Sequence, residues 1–115
     1  MDILELVSET QWLNVLAASQ ETPVFVFKHS TSCPISACAL EEWERHIKES
    51  AHPDVEYVFV KVIESRPVSN LIADTLNVKH QSPQAILVKD RRAVWHTSHD
   101  RITEQSLKEA VSSAL

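Results

Sequence analysis

Val24-Phe25-Val26-Phe27-Lys28-His29-Ser30-Thr31-Ser32-Cys33-Pro34-Ile35-Ser36-Ala37-Cys38-Ala39-Leu40 is the stretch whose reading decides the fold of this chain. Pro23 opens a run, Val24–Phe27, that is apolar throughout, the pattern of a central strand covered on both faces. His29–Ser32 is a polar loop. Cys33-Pro34 then begins a helix, since proline suits a first turn where its missing N–H has no intrahelical partner to lose. Ala39, Leu40, Trp43 and Ile47 fall within roughly 100° of one another on a helical wheel. They give this helix one buried stripe, and it runs to about Ser50, with Pro53 beyond.

Upstream, Ser8 and Gln11 have the spacing of a capping box, with Val7 set to staple onto Trp12. A helix over about Glu9–Ser19 follows, turning Trp12, Leu13 and Leu16 inward, and Asp2–Leu6 alternates weakly as a short edge strand. Downstream, Val55–Ile63 is a second, nearly continuous apolar strand. Ser65-Arg66-Pro67 caps a helix to about Leu76, with Val68, Leu71, Ile72 and Leu76 inward. Asn77 takes the place of the usual C-terminal glycine. Gln84–Val88 and Ala93–Thr97 form a hairpin across Lys89–Arg92, and Thr103 caps a last helix whose staple is Ile102 with Leu107. The two strands joined by a helix are parallel with a right-handed crossover, and the hairpin is antiparallel. The expected fold is α/β: one domain over residues 1–115, a mixed sheet of four to five strands with helices on both faces.

Composition narrows the function. The chain has 115 residues, 43% hydrophobic and 23% charged, enough for one packed core. Its net charge of −5 argues against nucleic acid as a partner, because phosphate binding needs a basic face. No apolar run approaches the roughly 20 residues that cross a bilayer. The start, Met1-Asp2-Ile3-Leu4-Glu5, carries an acid where a secretory signal carries positive charge. Two cysteines and no export signal make the cytoplasm the expected location, without a disulfide framework. The chain contains no glycine at all, so Gly-rich phosphate loops are excluded. The six histidines, His29, His46, His52, His80, His96 and His99, show no metal-ligand spacing.

Cys33 stands at the N-terminus of a helix that follows a central strand. Free backbone N–H groups and the helix dipole favour the thiolate there, and the thiolate is the nucleophile. The alternative is a buried structural cysteine. Lys28 and His29 are near enough in sequence to add positive potential. Ser36, one helical turn on, occupies the place where a dithiol enzyme keeps its resolving cysteine. It serves there either as a catalytic helper or as a small residue required by packing. Cys38 lies ~8.7 Å from Cys33 along an ideal helix, beyond the ~7 Å reach of an unstrained bridge. It points among Glu41, Glu42 and Arg45, as a bystander or as a second, oxidation-sensitive thiol.

With the strand, the run Lys28-His29-Ser30-Thr31-Ser32-Cys33-Pro34-Ile35-Ser36 and the downstream His80-Gln81-Ser82-Pro83-Gln84 in place, the chain resembles the monothiol bacilliredoxins. These are the YtxJ-like branch of the thioredoxin-like proteins, found in bacillithiol-using bacteria and marked by a Thr-Cys-Pro-Ile-Ser signature. Here Ser32 stands for the signature's Thr, and Cys38 is outside the signature. The resemblance implies a thioredoxin-like fold and a thiol–disulfide oxidoreductase with bacillithiol and S-bacillithiolated client proteins as partners. Cys33 would be catalytic and Ser32, Pro34, Ile35, Ser36 and His29 supporting. Ser82–Pro83, matching the cis-proline position beside the active cysteine, would offer a backbone edge to an extended substrate. His80, just before it, would contact the thiol or its ligand. No metal and no cofactor beyond the thiol co-substrate is expected. The alternatives are a single-cysteine iron–sulfur carrier like the Cys-Gly-Phe-Ser glutaredoxins, where Pro34 and Ile35 are bulkier than such a site favours, and a redox-inert interaction module.

Overall fold

A computed structural model describes residues 3–115 of the chain. Its elements run β1 (Leu4–Glu5), α1 (Glu9–Ala18), β2 (Val24–His29), α2 (Pro34–Ser50), β3 (Glu56–Lys61), α3 (Arg66–Leu76), β4 (Gln84–Lys89), β5 (Arg92–Ser98) and α4 (Glu104–Ala114). A 3-10 turn, His99–Arg101, precedes α4. The five strands form one mixed sheet in the order β1-β3-β2-β4-β5. β1, β3 and β2 are parallel, and β4 and β5 run antiparallel to their neighbours. Of the expected edge strand, Leu4–Glu5 is formed; Asp2 lies outside the described residues.

The continuous apolar runs of β2, β3 and β4 resolve into two alternating sets once they lie in the sheet. Val24, Val26, Val58, Val60, Ile86 and Val88 join Trp12 of α1 and Ile72 of α3 in one core. Phe25, Phe27, Tyr57 and Leu87 join Trp43 of α2 and Leu107 of α4 in the other. Trp43 meets Phe25 edge-on at 5.4 Å and stacks on Phe27 at 5.2 Å, so α2 is seated on β2 by three aromatic rings.

Local signals in the sequence explain most element ends. Ser8 and Gln11 form the capping box of α1, and Thr103 with Ser106 forms that of α4. Asn77 closes α3 in the left-handed region at φ 54°, and Asp90 and Arg91 both take positive φ (54° and 64°) in the β4–β5 hairpin. Such a two-residue turn suits the twist of its strands and is here built without glycine.

Several expectations change. Leu13 is exposed and Val15 takes its place in the core, because Trp12 is drawn toward α3, where its Nε1 donates to Thr75 Oγ1 at 2.9 Å. Val7 remains largely exposed, so the expected staple is weak at best. β2 continues through Lys28 and His29, which keep pairing with Val60 and Lys61. Val55, Val62 and Ile63 fall outside β3, which is Glu56–Lys61. Ser65 holds the N-cap position of α3 without a side-chain hydrogen bond. His46, unassigned from sequence, is wholly buried in α2 between Ser50 Oγ and Tyr57 OH, both at 2.9 Å.

Candidate active site

The register places Lys28, Gln84 and Ser98 in one row across β2, β4 and β5. Three segments therefore leave the sheet at the same end: the loop carrying Cys33 after β2, Ser82–Pro83 before β4, and His99–Arg101 after β5.

Cys33 is the N-cap residue of α2, in extended conformation (φ −109°, ψ 122°), partly exposed and unbridged, with Pro34 following. Its N–H donates to Ser30 O at 3.3 Å, and its carbonyl accepts the Ala37 N–H at 3.1 Å. Its side chain caps nothing, so the sulfur is not committed to the helix end. Pro34, Ser32 and Thr31 are exposed around it, and Ile35 is 50% exposed, an apolar surface at the first turn.

Ser36 is fully buried and holds this loop in place. Its Oγ accepts the Ser30 N–H at 2.9 Å and lies 2.8 Å from His29 Nδ1. Burial lowers the His29 pKa; Glu64 and Glu44 pull it upward and Lys61 pushes it down, with burial prevailing. A neutral ring accepts the Ser36 hydroxyl proton at Nδ1 and keeps its own proton on Nε2. The ring stacks on Phe27 at 5.9 Å. Ser36 is thus a packing residue that ties His29, Ser30 and, through Ser30 O, Cys33 together.

Lys28 points to the opposite face, away from α2. It is wholly buried, with Nζ donating to Ser69 O at 3.2 Å and to His80 Nδ1 at 3.2 Å. Burial brings its pKa from 10.5 down to about 8. His80 is lowered as well, first by burial and then by Lys28 and Arg66. His80 Nδ1 is thereby engaged with β2 and α3. That engagement was hidden in sequence because Lys28 and His80 are 52 residues apart.

The Ser82–Pro83 bond is cis, Pro83 is buried, and Ser82 Oγ is buried without a partner. Cys38 is exposed on another face of α2 and lines a cleft of about 300 Å³ with Ile35, His99 and Ile102. Among the described residues no three His, Cys, Asp or Glu side chains converge on one point. No helix there is long and apolar enough to cross a membrane.

A partly exposed, unbridged cysteine holds the N-cap position of the helix after a central strand, at the sheet end that carries a cis-proline loop. The family model for "Monothiol bacilliredoxin BrxC" matches residues 4–107. The chain belongs to this family. A solved structure described as an oxidoreductase with a thioredoxin fold, its activity provisionally assigned, is 35% identical. That match covers 95% of this chain and 93% of the other, with a TM-score of 0.82. Fasciola hepatica thioredoxin superposes with a TM-score of 0.74 at 19% identity, covering 96% of this chain and 98% of its own. Mitochondrial thioredoxin 3 of Saccharomyces cerevisiae, in its oxidized form, gives 0.73 at 22% identity, with 96% and 94% covered. The last two establish the thioredoxin fold alone. Family and fold together support a thiol oxidoreductase.

Proposed function

We propose that the chain reduces mixed disulfides between bacillithiol and protein cysteines, with Cys33 as its single nucleophile. The Cys33 thiolate attacks the bacillithiol sulfur, and the client cysteine leaves as thiolate and takes up a proton. Cys33 now carries bacillithiol. The thiolate of a second bacillithiol attacks the bacillithiol sulfur of that adduct, releases the Cys33 thiolate and forms bacillithiol disulfide. Each exchange breaks one S–S bond and makes one: the client sulfur passes from disulfide to thiol level, the entering bacillithiol passes from thiol to disulfide level, and the bacillithiol already in the mixed disulfide stays at disulfide level. Extended client backbone pairs with the Ser82 edge, and Ile35 offers apolar contact.

The observation that carries this reading is the environment of Ser36. One turn from Cys33 stands a buried hydroxyl whose oxygen is already engaged by Ser30 and His29, so no resolving thiol exists at that position. The test is intact-mass analysis of protein incubated with an S-bacillithiolated client. A single bacillithiol adduct on Cys33 with release of client thiol is expected, and Cys33→Ser should form none while keeping its fold. Client release by the Cys33→Ser protein, or an adduct on Cys38 alone, would overturn the assignment.

A further inference from the structure

At the sheet end that carries Cys33, the 3-10 turn is docked onto the proline loop: the His99 N–H donates to Pro83 O at 3.0 Å. Behind this contact, between the end of the β4–β5 hairpin and the segment before Pro83, lies a cleft of about 240 Å³. Its ionisable lining is Lys79, His96, His99 and Arg101, with no carboxylate. The whole chain carries −5 with histidine counted neutral, so two cations, Lys79 and Arg101, with no acid in the lining run against its composition. Among the described residues, the ion pairs are Arg45–Glu42 and Lys61–Glu5, and neither Lys79 nor Arg101 takes part in one. Asp100, between His99 and Arg101 in sequence, lines the neighbouring cleft with Ile35 and Cys38 instead.

Gln84 makes a second, independent observation. It lines the same cleft and is 2% exposed; its Nε2 donates to Lys79 O at 3.1 Å, while Oε1 has no partner. A buried amide oxygen without a donor is costly until a ligand or water supplies one.

We propose that this cleft binds the carboxylate-bearing end of the low-molecular-weight thiol that exchanges at Cys33, and this rests on the thiol-exchange reading above. Lys79 and Arg101 supply two fixed charges for a dicarboxylate, with charge-assisted N–H···O bonds, and the two imidazoles add donors. Gln84 Oε1 accepts from a hydroxyl or amide N–H of the same molecule. Anchoring the anionic end raises the effective concentration of its sulfur at the sheet end where Cys33 stands. The cleft therefore selects a polyanionic thiol over a neutral one of equal reactivity.

The test loads Cys33 with 2-mercaptoethanol and follows release of that adduct by mercaptosuccinate, a dicarboxylate thiol, or by free 2-mercaptoethanol labelled with deuterium. Each rate is divided by the rate of the same thiol with the disulfide of N-acetylcysteine amide. A normalised preference for mercaptosuccinate of roughly ten-fold is expected, the size of one or two charge-assisted contacts, and the Lys79→Gln/Arg101→Gln double variant should lose it. Equal normalised rates in the parent, or a preference that survives in the double variant, would overturn the proposal. A second arm needs no exchange: malate titrated into Cys33→Ser protein should shift the imidazole NMR signals of His96 and His99 saturably. Absence of that shift also sinks the cleft. A saturable shift in protein whose Cys33 exchanges with neither thiol would uphold the cleft as an anion site and defeat the thiol-exchange reading.

Discussion

Replacing Ser36 with alanine removes one oxygen and leaves two groups without partners. The Ser30 N–H loses its acceptor at 2.9 Å, in a residue only 8% exposed, and His29 Nδ1 loses its neighbour at 2.8 Å. A buried donor left unsatisfied costs about 1–3 kcal/mol. His29 is half-buried, so its ring nitrogen can turn to water and adds little. The expected loss is about 2 kcal/mol, which for a domain of this size lowers Tm by roughly 10 °C. Urea unfolding followed by tryptophan fluorescence reads this as a lower midpoint with an unchanged slope. The exchange rate at Cys33 should stay within ten-fold of the parent, since the Ser36 hydroxyl is spoken for by His29 and Ser30 and the Cys33 sulfur is not among its partners. A variant as stable as the parent would refute the pinning of the loop by Ser36. A hundred-fold loss of rate at undiminished stability would show instead that the hydroxyl acts on the reacting sulfur.

Three further outcomes follow from the same geometry. Cys38→Ser should turn over like the parent, and an adduct on Cys33 should persist until thiol is added. Bridging to Cys38 must break the first turn held by Ala37 N–H to Cys33 O, at roughly 1 kcal/mol for each hydrogen bond lost. Spontaneous loss of the adduct, giving protein two hydrogens lighter than the reduced form, would show that Cys38 resolves. Lys28→Met should raise stability at pH 7 by about 1–2 kcal/mol, because it deletes a buried cation that lacks a carboxylate partner and forfeits only two hydrogen bonds. With the folded pKa lowered from 10.5 to about 8, parent stability should rise from pH 8 to 10 while that of the variant stays level; parallel profiles would contradict this. His29, His46 and His80 all have folded pKa values below 6.5, so the unfolded chain binds their protons first. Stability should be level between pH 7 and 7.5, below the Lys28 transition, and fall as pH drops through 6.5, by up to about 1.4 kcal/mol per pH unit for each histidine. Urea midpoints that hold steady from pH 7.5 to 5.5 would rule this out.

The elements that sequence made legible are those whose signals are local. Ser8 with Gln11, Thr103 at α4 and Asn77 after α3 act within one turn of their own position, and each does so in the fold. The runs Val24–Phe27 and Gln84–Val88 announced buried strands by composition alone. Their faces were illegible for the same reason, since Val24–Phe27 and Ala85–Val88 hold no polar residue from which a period could be read. Only the register shows that Phe25 and Phe27 meet Trp43 while Val24 and Val26 meet α1 and α3. Leu13 and Val15 changed places because the rotation of α1 is set by where Trp12 finds Thr75, a partner 63 residues away.

At the site, the position of Cys33 could be read from strand, loop and proline, all contiguous, and the cis-proline loop only through resemblance. What could not be read is which polar residues are buried and by what. Lys28 and His46 look like surface residues in any one-dimensional account, because burying either demands partners that only closure of the fold provides: Ser69 O and His80 for one, Ser50 and Tyr57 for the other. The same holds for charge. Lys79, His96, His99 and Arg101 are spread over 23 positions between Lys79 and Arg101 in a chain that is acidic overall, and no window of sequence collects them. The antiparallel pairing of β4 with β5 brings Ser98 opposite Gln84, and the His99–Pro83 bond then folds the 3-10 turn back over the segment before β4. Net charge argues against nucleic acid through an average over the surface. A small anion meets the local field, and the lining of the 240 Å³ cleft brings Lys79 and Arg101 together with two imidazoles and no carboxylate.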